Sequence, residues 1–323
     1  MSIIKLTPAF KDYLWGGTKL KENYGKKTDM DPVAESWELS VHPDGPSIVA
    51  SGEYQGLSFP KYLEKKGKGV LGTKGNTFKF FPILIKFIDA KQPLSIQVHP
   101  DNEYALRVEH EYGKTEMWYL VGADRDAELI MGFNKDTDKS EYLTALHNHT
   151  LPVLLNTEKV EKGDCFFIPA GTVHAICKGC YIAEIQQTSD ITYRIYDYDR
   201  RDKNGNPREL HTELATDVIN FCEQKQHSIH YHQHENHTEE LVSCNYFTTN
   251  YLKFDKEVEK DYIELDSFVI YMCLEGNFTL VYDVDKTVKV NKGETILVPA
   301  ILKNLFLIPE TEAEIKAFPF STF

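Results

Sequence analysis

The feature that most limits what this chain can fold into is a strand-and-turn phrase that occurs twice. Lys162-Gly163-Asp164-Cys165-Phe166-Phe167-Ile168-Pro169-Ala170 is echoed by Lys292-Gly293-Glu294-Thr295-Ile296-Leu297-Val298-Pro299-Ala300. In each copy a glycine and an acid precede a short apolar run that Pro-Ala closes, the pattern of a buried strand held between two turns. Two such copies argue for two related β-barrels of the jelly-roll kind. They diverge after the alanine. The first runs on through Gly171-Thr172-Val173 to His174, while the second has Asn304 at the matching place. The first barrel is therefore expected to carry a site and the second to bind no metal.

The rest of the pattern agrees with a mainly β chain bearing a few short helices. Apolar runs with turn punctuation predict strands over 81–88, 94–98, 116–121, 128–132, 165–168 and 181–187. Helices are expected over 101–111, with Asp101 as cap, and over 140–148 and 213–222. Asn204-Gly205 marks a tight turn. The alternating run Phe268-Val269-Ile270-Tyr271-Met272-Cys273-Leu274 belongs to the second, smaller barrel. Residues 1–238 are expected to form the larger domain and 239–323 the smaller.

Residues two apart on a strand project to one face, so Gln97 and His99 aim an amide and an imidazole at one point. The same period places Lys114, Glu116 and Trp118 together on another strand. His174 follows Gly171, whose freedom at positive φ permits the sharp bend that turns an imidazole inward. Two imidazoles, one carboxylate and one neutral oxygen suit a divalent first-row metal with room left for a substrate.

These phrases resemble the cupin superfamily and, more closely, the type I phosphomannose isomerases in their short form, which lacks a large helical insertion found in longer members. The Gly-x5-Pro-x-Gly-x2-His phrase ending at His174 is common to cupins. Narrower matches are Pro93-Leu94-Ser95-Ile96-Gln97-Val98-His99-Pro100 and Gln187-Thr188-Ser189-Asp190-Ile191-Thr192-Tyr193-Arg194. Leu14-Trp15-Gly16-Gly17, Ala34-Glu35-Ser36-Trp37-Glu38-Leu39-Ser40 and Gly113-Lys114-Thr115-Glu116-Met117-Trp118-Tyr119 extend the likeness over most of the chain. The resemblance implies two cupin barrels and a zinc-dependent interconversion of mannose 6-phosphate and fructose 6-phosphate. It implies one Zn2+ per chain on Gln97, His99, Glu116 and His174. Arg194 would be the active-site arginine, with Lys114 and Asp190 as proton-moving candidates and Ser95, Lys114 and Arg194 as substrate contacts.

Such an isomerisation moves a proton between C1 and C2 of the sugar through an enediol. Arg194 keeps its charge and presents a planar fork, so it suits phosphate or enediolate charge and not base chemistry. Two other readings stay open. Two histidines and a carboxylate also describe non-haem iron oxygenases, and many cupins are dioxygenases. A non-catalytic sugar-binding cupin would keep the pocket without proton transfer.

A net charge of −13 argues against nucleic-acid or anionic-membrane partners. An anionic sugar phosphate must then be drawn by local cations, and Lys114, Arg194 and Arg200 or Arg201 are the candidates. No apolar run is long enough for a membrane span and no leader is evident, so a cytoplasmic protein is expected, as a monomer or homodimer. Cys177-Lys178-Gly179-Cys180 lacks the second pair of a zinc knuckle and reads as a hairpin with free thiols. The histidine-rich run His227 to His237 reads as an exposed linker strand.

Overall fold

The computed structural model describes residues 1–75, 78, 80–201, 204–224, 227–310 and 315–321. Among these, four antiparallel sheets pair into two barrels. In the first barrel a six-stranded sheet runs Cys165–Ile168, Glu116–Ala123, Cys180–Gln187, Ile83–Asp89, Glu35–Leu39, Ala9–Lys11. Opposite it lies a five-stranded sheet in the order Tyr193–Tyr196, Ile96–Val98, His174–Ile176, Glu128–Phe133, Leu155–Lys159. Trp118, Leu120, Ile182 and Phe166 of one sheet meet Leu129, Met131 and Ile176 of the other between them.

The second barrel has a seven-stranded sheet, Thr238–Ser243, Thr248–Phe254, Ile315–Ser321, Val269–Glu275, Thr295–Val298, Ile4–Thr7, Ile48–Val49, and a four-stranded one, Val258–Asp261, Asn304–Pro309, Asn277–Tyr282, Lys286–Asn291. Its interior is filled by Leu252, Phe254, Tyr271, Phe278, Leu280, Val290, Leu305 and Leu307, all buried. One strand of this sheet comes from the far end of the chain: Ile4 pairs with Leu297 and Lys5 with Ile296.

The period of two explains how the barrels adhere. Along Ile83–Asp89 and Cys180–Gln187, Lys86 and Glu184 face the first barrel's interior, while Phe87 and Ala183 face outward. Those outward residues, with Met117 and Tyr119, pack on Tyr251, Ile270, Met272 and Leu297 of the seven-stranded sheet. One continuous apolar layer thus joins the barrels, each large side chain in it contributing roughly 1.5–3 kcal/mol through burial. The outer face of the five-stranded sheet is covered instead by short helices, through Tyr142, Ala145 and Ala215.

The expected strands form at Ile83–Asp89, Ile96–Val98, Glu116–Ala123, Glu128–Phe133, Cys165–Ile168 and Cys180–Gln187. Helices form at Asn102–Val108, Lys139–His147 and Thr212–Val218, and the Asp101 carboxylate caps the first by accepting from the Tyr104 amide at 2.8 Å. Cys177 to Cys180 make the expected turn, with Gly179 at φ 88° and all thiols free. The histidine-rich run departs from expectation at its start. His227 is buried, and Ile229 donates to the Cys165 carbonyl at 2.7 Å, so this segment is tucked along the first barrel. None of the described helices is long and apolar enough to cross a membrane.

Candidate active site

Three adjacent strands of the five-stranded sheet place Arg194, Gln97 and His174 in register, Arg194 opposite Gln97 and Gln97 opposite His174. Cross-strand partners share a face, so this row points into the barrel as a unit. His99 follows the end of the central strand. Across the barrel, Glu116 opens its own strand, next to Gln186 and Ile168. Gly171, at φ 86°, turns the chain toward His174, and a Cβ there would come within 3.0 Å of the Val218 carbonyl oxygen.

His99, Glu116 and His174 converge, each offering a ligand atom within 4.8 Å of the others, and all three are buried. Glu116 Oε1 lies 3.3 Å from His174 Nε2, and Oε2 lies 3.7 Å from His99 Nε2. The outward nitrogens are tied down: His99 Nδ1 donates to the Ile191 carbonyl at 2.7 Å and His174 Nδ1 to that of Thr172 at 2.8 Å. This fixes the tautomer and leaves each Nε2 lone pair facing the centre. Those lone pairs are met by donors, Lys114 Nζ at 3.2 Å from His99 Nε2 and Gln97 Nε2 at 3.3 Å from His174 Nε2. A half-turn of the Gln97 amide replaces its nitrogen by its oxygen at that point.

The electrostatics agree with a cation at the centre. Burial pushes His174 down to about 3 and His99 well below the usual imidazole range, so both stay neutral, as metal ligands must. Burial raises Glu116 to about 7 against the pull of Lys114 Nζ, 2.8 Å from Oε2. Its Oε1 is buried without any hydrogen-bond partner. Lys114 answers Oε2, but Oε1, with no donor among the described residues, faces the His174 Nε2 at 3.3 Å, and a divalent metal ion fits that position.

The cavity beside this triad has a volume of about 230 Å3 and is lined in part by Ser95, Gln97, Lys114, Asp190 and Arg194. All the expected site residues therefore meet in one place. The cavity also contains residues that the sequence reading passed over. Lys86, buried in the middle of an apolar strand, lies 3.6 Å from Glu35, 3.4 Å from Glu184 and 3.9 Å from Asp190. Burial alone would lower the Lys86 ammonium, but Glu35 and Glu184 outweigh it and hold the group above its ordinary range. Trp118 and Trp37 indoles donate to Glu184 at 2.9 Å and to Glu35 at 2.6 Å. A lysine inside the run Ile83-Leu84-Ile85-Lys86-Phe87-Ile88 was the available signal, since buried lysines occur almost only with paired acids.

Of the expected cations of the cleft, Lys114 and Arg194 line the cavity, and only the choice of Arg200 or Arg201 needs correction. Arg200 is turned onto Asp197 and the Pro93 carbonyl, and Arg201 donates to the Gly205 carbonyl in an exposed turn, while Arg208 lines the cavity. Among the described residues no second metal-capable group forms, and the histidine-rich run contributes none. His234 pairs instead with Glu239 at 2.5 Å.

Fold and site together define a cupin-type barrel enzyme with a metal-capable His-Glu-His group at the floor of a polar cavity. The description "Phosphomannose isomerase type I, catalytic domain" matches residues 3–149. The chain is 36% identical to mannose-6-phosphate isomerase ManA of Bacillus subtilis over 90% of its length and 91% of that protein's. It is 42% identical to mannose-6-phosphate isomerase of Streptococcus mutans over 64% of each chain. The crystal structure of mannose 6-phosphate isomerase from Bacillus subtilis superposes with a TM-score of 0.89 at 34% identity, covering both chains completely. The chain belongs to the type I phosphomannose isomerase family, which are aldose-ketose isomerases.

Proposed function

We propose that this enzyme interconverts mannose 6-phosphate and fructose 6-phosphate, in the cytoplasm, with one zinc ion held per chain by Gln97, His99, Glu116 and His174. The observation that carries this reading is the convergence of two neutral imidazoles and a partnerless carboxylate oxygen beside a cavity lined by Lys114, Asp190 and Arg194. Zinc bound there would supply Lewis acidity, lowering the cost of negative charge on the sugar's first two oxygens without redox chemistry.

The protein's own residues do the rest. In the aldose the C2 proton is removed and the C1 carbonyl oxygen gains a proton, giving an enediol. Loss of the O2 proton and protonation of C1 then give the ketose. Lys114 is assigned the carbon-bound proton, because its Nζ stands against both Glu116 and His99 at the cavity floor. Asp190, half-buried at the cavity wall, is assigned the hydroxyl protons and ring opening. Arg194 has a buried Nε without a partner, free to meet charge that develops on the enediol oxygens. Ser95, buried in the wall, orients the substrate. Lys86, with Lys114 beside Glu184, offsets part of the negative charge of Glu35 and Glu184 in this acid-rich wall.

Two cooperating domains, 1–238 and 239–323, are part of this reading, with the second acting as a scaffold for the first and its barrel completed by Ile4–Thr7, Ile48–Val49 and Thr238 from the first segment. The apolar layer between the barrels supports it, and removal of residues 239–323 should leave an aggregated, inactive protein. A soluble fragment of normal rate would refute the scaffold role. The function is tested by anaerobic conversion of mannose 6-phosphate to fructose 6-phosphate, before and after chelation and again after zinc replacement. Activity that survives exhaustive chelation, or that requires oxygen, would overturn the assignment.

A further inference from the structure

Arg194 stands in a short edge strand, and sheet pairing holds it on one side only. Tyr193–Tyr196 is four residues long, lies at the edge of the five-stranded sheet, and shifts register against Ile96–Val98 between Arg194 and Tyr196. An edge strand leaves one row of backbone groups without a neighbouring strand. At Arg194 a single downstream residue answers that row. The His211 imidazole accepts from the Arg194 amide at Nδ1, 3.3 Å away, and the His211 amide donates to the Arg194 carbonyl at 2.7 Å. Both backbone groups of Arg194 are paired, as a further strand would pair them.

The place of His211 makes this use of its side chain informative. It immediately precedes the helix Thr212–Val218, and its carbonyl accepts from the Ala215 amide at 2.9 Å. A side chain at that position ordinarily accepts from the helix's own free amides, as Asp101 does ahead of Asn102–Val108. His211 makes no such bond and turns its ring back onto Arg194. Because Nδ1 accepts, the ring proton sits on Nε2, 4.0 Å from the Glu209 carboxylate. The ring also lies against Tyr193, with centroids 6.1 Å apart. The same segment holds the far end of the arginine, since the Glu209 carbonyl takes Nη1 at 2.8 Å. Arg208 in turn ties the segment to Asp197, Nε to Oδ2 at 2.7 Å. What is left over is the Arg194 Nε, buried and without a partner among the described residues, in a side chain that lines the cavity.

We propose that His211 is the positioning residue of Arg194, fixing the backbone from which the guanidinium reaches the reacting sugar. This rests on the isomerase reading above and adds a residue that does not itself line the cavity. An arginine fixed before the enediol forms needs no reorganisation as charge develops, so the brace acts on turnover more than on binding. The Nδ1 acceptor carries the role, not the bulk of the ring.

Two substitutions in the full-length zinc-loaded enzyme separate acceptor from ring. His211→Phe keeps a ring against Tyr193 and removes the acceptor, so it should lower kcat for mannose 6-phosphate at least tenfold, with KM within threefold and zinc content unchanged. If it does not fold, His211→Ala carries the same expectations. His211→Asn puts Oδ1 where Nδ1 stands and should recover most of the loss, and equal losses in the two variants would overturn the proposal. On an Arg194→Ala background His211→Phe should cost less than twofold, because the brace then has nothing to hold. A further tenfold loss there would show a route that bypasses Arg194 and would also overturn it. Amide exchange gives a readout apart from activity. In protein isotopically labelled at arginine, the Arg194 amide should exchange at least tenfold faster in His211→Phe and within threefold of the parent's rate in His211→Asn. Unchanged exchange in the folded His211→Phe protein would overturn the brace. Faster exchange there, alongside a parent that does not isomerise mannose 6-phosphate, would uphold the brace and refute the isomerase reading instead.

Discussion

The two barrels repeat one phrase and use their interiors in opposite ways. Inside the first, Lys86, Glu116, His99, His174 and Glu184 are all buried. Inside the second, the comparable volume holds Leu252, Phe254, Tyr271, Phe278, Leu280 and Leu307. Buried ionisable groups cost free energy unless paired, so the first barrel needs support that the second has to spare. In the proposed division of labour, apolar packing between the seven-stranded and six-stranded sheets supplies that support, and the strand Ile4–Thr7 ties the chain's start into it. The difference shows how a duplicated fold can separate chemistry from stability.

The strongest way to break this contrast is to delete a ligand from the first barrel. His99→Ala should remove the bound metal and lower turnover by at least about 1,000-fold, about 4 kcal/mol of barrier. A coupled assay with elemental analysis reads both, and a metal-free variant that keeps full activity would end the coordination scheme. The complementary cut is in the second barrel, where Phe254→Ala empties a fully buried position of the apolar interior. It should cost about 3–4 kcal/mol of stability by denaturant titration while the folded fraction keeps its kcat. A kcat loss in folded protein would mean that the second barrel does more than hold the first.

Much of this division could be read in the sequence, and where it could not the reason is physical. The candidate ligands were legible because strand alternation and the Gly171 bend are local rules, and each acts within a few residues of Gln97, His99, Glu116 and His174. Lys86 and Glu184 were not read, because the lysine inside its apolar run is the only local sign and its partner lies across a neighbouring strand. Arg200 and Arg208 changed places for a similar reason. The chain turns left-handed at Tyr198 and Asp199 between the two arginines, and although aspartate is enriched at positive φ, a tyrosine before it gives no such signal. The pairing of Ile4 with Leu297 spans nearly the whole chain and has no local signature.

A finer probe concerns the polar clamp between the barrels. Glu275 receives Lys162 from the first copy of the repeated phrase and Lys292 from the second, both at 2.8 Å. Burial would raise the Glu275 carboxyl, but hydrogen bonds from Lys162 and Lys292 hold it below the ordinary range. A depressed folded-state pKa contributes stability that is present above the unfolded value, about 4.3, and lost as pH falls through the folded one. Lys162 is half exposed, so solvent screening keeps the contribution small. Glu275→Gln should cost about 0.2–1 kcal/mol at neutral pH, with the difference from the parent shrinking below about pH 4. A cost that stays constant down to pH 3 would assign the effect to packing instead of charge.

The smallest expected effect tests whether the missing histidine alone separates the barrels. Asn304 stands four residues after Ala300, as His174 stands four after Ala170. In the second barrel, however, Leu305 and Leu307 of the strand Asn304–Pro309 are buried and Asn304 is exposed, opposite Asp261. Alternation therefore turns position 304 toward solvent, whereas His174 points inward. Asn304→His should leave metal stoichiometry and stability at the parent's values, because the new imidazole meets no second ligand inside the barrel. An added equivalent of tightly held zinc would show that the second barrel keeps a cryptic site, and that its apolar filling is not what silences it.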